Sequence, residues 1–458
     1  MNVRVTYIYS FLMALSTSIM GTVASNLLFM LMKENFYVGL AGGIQGLMQM
    51  IVAFPAGWYA DKNKYSRSIL LKKFIIFPLL ACICTFIALL VYPSFDQVDR
   101  ARYFIFLVAY IFWGISDGCT ETIIEAIFSD SLTNGQERTS AETTRALIIN
   151  IGSASGPLTS ILLFNSLGDQ WSTNNLVIVW LVGISIASIS SFCLCFYSDD
   201  TNINFGANEQ ASLLYTSSAL TMSTVSTSDE EEDREENSTT NNNDYQSTTT
   251  TTTTLSTLPK VSQVSPTFGN YIPHLCIACD ILCSLGSGMT VQFWTLFFEK
   301  DVKSGPLLLN VTLLVSCLFT AAAVYVGSKV AKKYGRIVVT LVTSSLGIIS
   351  LFLIGKLVIS SDTGGSSPNQ SLMATLFILR TGFMNASTPL LRAVLMDNIS
   401  FAHRAKWASM SSVTTVGWSG SALLGGWLCD QYGYNAVFFI TVVLQTVSLI
   451  PLLPLIRF

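Results

Sequence analysis

Charge is what this chain has least of. Asp, Glu, Lys and Arg make up 12% of its 458 residues, against roughly a quarter in a soluble globular protein. The 51% that are apolar exceed what an aqueous fold of that size can hide, so a purely water-soluble body is excluded. The formal net charge of −3 provides no basic footprint for nucleic acid. Histidine is nearly missing: two residues leave no paired-histidine zinc motif, and no phosphate-cradling Gly-x-x-x-x-Gly-Lys-Ser/Thr loop occurs. Metal-assisted hydrolysis and nucleotide-driven pumping therefore lack their machinery, and the sequence points to a non-enzyme without cofactor. The ten cysteines all fall inside apolar stretches, which argues against a disulfide framework. Cys276 and Cys279 have CxxC spacing but no second pair to complete a zinc site.

Long apolar runs are abundant. They lie near residues 6–31, 38–60, 74–93, 103–127, 146–166 and 175–197, then near 270–297, 306–328, 337–359, 372–396, 408–428 and 434–456. A helix of about 20 apolar residues crosses the hydrocarbon layer while satisfying its own backbone hydrogen bonds. The pattern predicts an all-α membrane protein of twelve spans in two sets of six. The first run reads as a retained span, because no small-residue cleavage site followed by a soluble domain appears.

Between the sets, residues 200–265 carry the acidic run Asp229 to Asp233 and the threonine tract Thr248 to Thr254. So little apolar content cannot offset the entropy of ordering, and it predicts a disordered linker between one bundle at 1–199 and another at 266–458. Ser228 before the acids suits an acid-directed kinase, the alternative being a plain solvated charge run. Glu209-x-x-x-Leu213-Leu214 fits an acidic dileucine signal towards a vacuolar or lysosomal membrane, with the plasma membrane the other destination.

Cationic loops resist translocation. A cytoplasmic N-terminus gathers Arg4, the Lys62–Lys73 cluster, Arg138, Arg145, Arg234, Lys260, the Lys329–Arg336 cluster, Arg404, Lys406 and Arg457 on that side. It leaves Lys33, Arg100, Arg102, Lys300, Lys303, Lys356 and Arg380 on the other. Both termini and the linker are thus expected in the cytoplasm. Asn369-Gln370-Ser371 is then expected outside, where it can take a glycan, and Asn237-Ser238-Thr239 inside.

The two sets repeat one another. Gly57-x-x-x-Asp61-Lys62 after the second run is matched by Gly327-x-x-x-Ala331-Lys332-Lys333-Tyr334-Gly335-Arg336 after the eighth, and the fourth and tenth runs end in Asp130 and Asp397. Two related halves imply a pseudo-twofold axis along the membrane normal with a path between them. These motifs, together with Thr144-Arg145-Ala146-Leu147 leading to Gly156-Pro157 and Gly425 to Gly433 at the end of the eleventh run, resemble the major facilitator superfamily. The likeness covers nearly the whole chain outside the linker. It departs at Lys64, where the family's loop motif has a glycine, and at Ala331, where it has an acid. The resemblance implies two bundles rocking about a central cavity lined by spans 1, 4, 7 and 10, with Gly57, Asp61, Lys62, Gly327, Gly335 and Arg336 as gating-loop candidates. A plain topology anchor is the alternative role for that loop.

Ionisable residues inside spans are costly, at least about 2.5 kcal/mol each on insertion scales. Asp117, Glu121 and Glu125 recur every four residues in the fourth run, hence on one helix face that must meet protein or water. A carboxylate in a partly dehydrated cavity can take up and release a proton, so Glu121 and then Asp117 are the proton-site candidates. The register that aligns Asp130 with Asp397 also aligns Glu125 with Arg392. The two are expected to meet across the cavity as a salt bridge, or Arg392 holds an anionic solute. Asp280 and Gln292 of the seventh run are further pathway candidates. Trp113, Trp294 and Trp418 offer stacking faces, or simple packing. The small residues of runs 5 and 11 predict close helix approach.

The resulting expectation is a monomeric secondary or facilitative carrier of a small organic solute, with protons as candidate coupling ion. A transporter-shaped sensor signalling through its linker is the alternative.

Overall fold

The computed structural model describes residues 1–62, 67–90, 99–132, 136–198, 271–364, 368–398 and 410–457, and its regular structure is helical. The first half comprises α1 (Asn2–Gly21), α2 (Ala24–Met32), α3 (Asn35–Lys62), α4 (Arg67–Phe74), α5 (Ile76–Leu90), α6 (Arg100–Asp130), α7 (Gln136–Leu167) and α8 (Thr173–Cys193). The second comprises α9 (Ile272–Val291), α10 (Trp294–Lys300), α11 (Pro306–Tyr334), α12 (Arg336–Gly364), α13 (Gln370–Asp397) and α14 (Met410–Leu449). The expected linker at 200–265, with Ser228 and the dileucine pattern, lies outside the described residues.

Ten stretches among the described residues are long and apolar enough to cross a membrane. The last, Gly417–Ile456, contains two limbs that meet at Gly433, whose φ of 77° suits a residue without a Cβ. Helix α13 does not qualify by composition, yet it packs against both α11 and α12 as a span would. Spans 1, 3 and 7 are each two helices in line (α1–α2, α4–α5, α9–α10), and spans 11 and 12 are the limbs of α14. The architecture is the expected all-α membrane protein of twelve spans.

The repeat is visible in the backbone. Helices α1 and α9 each run 20 residues, break for two, and resume as short helices that lead to a lysine with positive φ, Lys33 at 61° and Lys303 at 54°. Hydropathy alone did not reveal these breaks, because apolar content continues across them.

Burial divides the molecule by depth. One large apolar cluster fills the end of the bundle farthest from the termini, here the distal end. It takes residues from both halves, among them Leu27, Phe106 and Trp180 with Phe297, Leu351 and Phe438. Towards the terminal end the cores separate. One cluster there, with Ala60, Ile124 and Tyr197, belongs to the first half alone, and another, with Cys276, Ile337 and Leu452, to the second alone. Among the described residues the halves are therefore fused at one end and parted at the other. The halves approach closely where α3 meets span 11: a Cβ on Gly39 would collide with the Ala422 carbonyl, and one on Gly426 with that of Asn35. Such backbone-thin contacts let helices pack tightly.

Candidate functional site

Where the halves part, they enclose a cavity of 420 Å³, a size that holds a small organic molecule. The first half supplies most of its wall, including Gln45, Gln49, Tyr110, Trp113 and Asp117, and the second supplies Gln292, Thr295 and Trp418. Its distal roof is built at the two helix breaks, where Ser25 Oγ donates to the Gln292 carbonyl at 2.6 Å. Above this, Asn26 bonds Glu299, the Trp171 indole donates to the Ser304 carbonyl at 2.7 Å, and Asp169 accepts from the Leu307 N–H at 2.8 Å. Each of these bonds crosses between halves.

The three acids of α6 form a ladder descending from the cavity to the terminal end. Gln45 Nε2 donates to Asp117 and Gln49 Nε2 to Glu121, both at 3.0 Å, and Arg145 donates to Glu125. Glutamines four residues apart on α3 thus match carboxylates four residues apart on α6, the same helical period read twice. Gly114 and Gly118 permit this registry: a Cβ on either would strike the α3 backbone at Gln45 or Gln49. Exposure rises along the ladder. Asp117 is half-buried on the cavity wall, Glu121 is exposed, and the Glu125 side chain is 58% accessible. The pentapeptide Gly114-Ile115-Ser116-Asp117-Gly118 spells the hydrolase nucleophile elbow, but it lies wholly inside α6 rather than at a strand-to-helix turn, and Ser116 is buried.

The expected pair between Glu125 and Arg392 is not what forms. Glu125 has Arg145 of α7 as its ion partner, from the same half. At that depth the flanks of α6 and α13 belong to separate cores, so equivalent positions in the two halves do not share one packing layer. Arg392 is exposed and within electrostatic range of Asp280. Asp280 lines a separate 40 Å³ pocket inside the second half with Thr388 and Gln445, not the larger cavity. Gln292 does line that cavity, as do Trp113 and Trp418. Trp294 is packed, 4% exposed among Phe297, Phe377 and Phe438.

Of the gating-loop residues, Gly57 faces Thr122 of α6, and Gly327 leaves ordinary contact distance to Leu390. Gly335 takes a φ of 90° to end α11, and Arg336 ion-pairs with Asp397 at the end of α13. The side chains of Asp61 and Lys62, which close α3, lie outside the described residues.

Sequence reasoning missed Gln45 and Gln49, although polar residues at helical spacing in an apolar run were a usable signal. It also assigned Arg380 to a loop. The structure buries Arg380 within α13, 5% exposed. Its distance from the helix start, about 15 Å along the axis at ~1.5 Å per residue, was the signal that it lies inside the span.

The sequence profile described as the Major Facilitator Superfamily matches residues 6–359, more than half of the chain. The chain belongs to the Major Facilitator Superfamily. This facilitator is accordingly an integral, multi-pass transmembrane transporter and not an enzyme, in a superfamily whose members bind small solutes. No curated protein matches its sequence. Solved structures similar to this facilitator include a D-xylose-proton symporter, at 11% identity and a TM-score of 0.66 over 98% of this chain and 96% of that one. The nucleoside transporter NupG is similar at 13% identity and a TM-score of 0.62 over 100% and 99%. A bacterial homologue of the iron transporter ferroportin, in an inward-facing state, is similar at 10% and 0.64 over 100% and 99%. At these identities the likeness establishes the fold of the facilitator alone.

Proposed function

We propose that this facilitator carries a small organic solute in its central cavity by alternating access, with Asp117 and Glu121 as the proton-coupling groups. The observation that carries the reading is the split core: one apolar cluster spanning both halves at the distal end, and separate clusters at the terminal end. A rigid channel has no need of that asymmetry, whereas a rocking pair of bundles has two packings that differ by only a few kcal/mol. With the termini in the cytoplasm, this state faces inward.

Proton coupling rests on the ladder. Asp117 lies on the cavity wall and Glu121 on its solvent side, so a proton reaching one can pass towards the other as water enters. Arg145 holds Glu125 as an ion pair, which removes that carboxylate from the relay. Arg392 and Asp280, outside the large cavity, serve on this reading to hold spans 7 and 10 in register. The superfamily resemblance makes the two loop motifs the parts that slide as the halves rock, and a monomer is sufficient, because both halves lie in one chain.

The test is uptake of a panel of labelled solutes into proteoliposomes, with and without a pH gradient. The expected result is accumulation driven by the gradient in the wild type, and solute exchange without gradient-driven accumulation in Glu121→Gln. Flux indifferent to the gradient would remove proton coupling. No flux for any solute would remove the carrier.

A further inference from the structure

Arg380 of α13 is a buried cation without a matching anion. Among the described residues it makes one hydrogen bond, a long one from Nη2 to Thr290 Oγ1 at 3.5 Å, its Nε has no acceptor, and no carboxylate pairs with it. Arg102, also buried, has Asp99 at 3.6 Å. The acid on the facing span, Asp280, is in the electrostatic range of Arg392 instead. The guanidinium of Arg380 sits 5.3 Å from the centre of the Trp294 ring.

Polar atoms around it are unmatched too. Trp294 Nε1, Thr295 Oγ1 and Thr381 Oγ1 are buried without hydrogen-bond partners. Arginine and tryptophan can only donate. Buried donors, a charged one above all, are destabilising until an acceptor arrives. This cluster lies behind the cavity wall at the helix break: Val291 and Thr295 line the cavity, and their sequence neighbours Thr290 and Trp294 contact Arg380. Pseudo-symmetry agrees, since the register that pairs Asp130 with Asp397 sets Arg380 at the place of Trp113, a cavity-lining residue.

Resting on the cavity reading above, we propose that the transported solute is an organic anion whose carboxylate or phosphate is held by Arg380, with Thr290 and Trp294 as its neighbours. The break between α9 and α10 is where the wall yields: Gln292 and Phe293 there are outside either helix, so a small movement of α10 brings Arg380 to the cavity surface.

Two measurements test this. In proteoliposomes, labelled solutes of three charge classes are offered to the wild type, Arg380→Met and Arg380→Lys. Flux is expected for organic anions, falling roughly a hundredfold in Arg380→Met, the scale on which a buried charge pair loses a partner. Arg380→Lys is expected not to restore it, because the ammonium lacks the planar fork. Flux of neutral or cationic solutes that survives Arg380→Met overturns the anion assignment and leaves the carrier standing. If no class moves, the carrier reading fails, and the anion site is judged separately by melting of the purified protein. Inorganic phosphate is then expected to raise the melting temperature of the wild type and not of Arg380→Met, at constant ionic strength. A shift equal in both, or in neither, overturns the site. A structural arginine is also distinguished there, because its removal lowers the melting temperature without phosphate, whereas relief of an unpaired buried charge leaves it level or higher.

Discussion

Asp430, at the end of span 11, caps the first turn of span 2 in the opposite half, accepting the backbone N–H of Asn35 at 2.8 Å and that of Phe36 at 2.7 Å. The Asn35 side chain also donates to Asp430 at 2.8 Å, and Tyr434 OH donates to the Asn35 carbonyl oxygen of the side-chain amide at 2.8 Å. A helix start carries unsatisfied N–H groups and the positive end of the helix dipole. A carboxylate there is therefore well placed, and here it comes from the other bundle.

Loss of this cap loosens distal closure. Asp430→Ala is expected to weaken the observed state by about 1 kcal/mol, as removal of a helix cap does. That corresponds to roughly a fivefold change in the ratio of the two states, at about 1.4 kcal/mol per tenfold. Pulsed-dipolar distances between spin labels at Gln170 and Lys303, in a background without reactive native cysteines, read it as a larger fraction of long distances. An unchanged distribution removes the latch role from Asp430.

The pairing of Glu125 is decidable by charge reversal. Glu125→Lys is expected to be destabilising and to be restored by Arg145→Glu. Arg392→Glu is expected to restore nothing in the same melting assay. Because the Glu125 side chain is 58% accessible, the whole effect is small, within about 1 kcal/mol.

Orientation has its own test. Asn369 spends its side chain on the N–H groups of Ser371 and Leu372 at the start of α13, so a glycan there has to displace a helix cap. A terminal epitope tag is the cleaner probe. It is expected to bind antibody only after the membrane of intact cells is permeabilised, and binding in unpermeabilised cells inverts the assignment.

The twelve spans were legible because apolar length is a property of each segment alone. Helix breaks at Thr22–Val23 and Gln292–Phe293 were not, since nothing in local hydropathy marks them and the cross-half bond from Ser25 to Gln292 is a tertiary contact. The acid face of α6 was legible from its period, but its partners were not, because the match to Gln45 and Gln49 depends on which helix lies alongside. Glu125 illustrates the limit. Repeat alignment gives equivalent positions in two halves, and equivalence is not contact when the halves are parted at that depth. Arg380 was readable in principle from its place along the span, whereas its lack of an acid follows only from packing.

The account stands or falls on a passage between the halves that opens at one face at a time. Single cysteines at Gln49, on the cavity wall, and at Asn26, buried above the distal roof, can be challenged with a membrane-impermeant thiol reagent applied from either face. The prediction is that Gln49→Cys reacts from the face bearing the termini and Asn26→Cys from the opposite face, each the more slowly as the other is favoured. Reaction of neither position from either face, or of both from both faces at once, contradicts it.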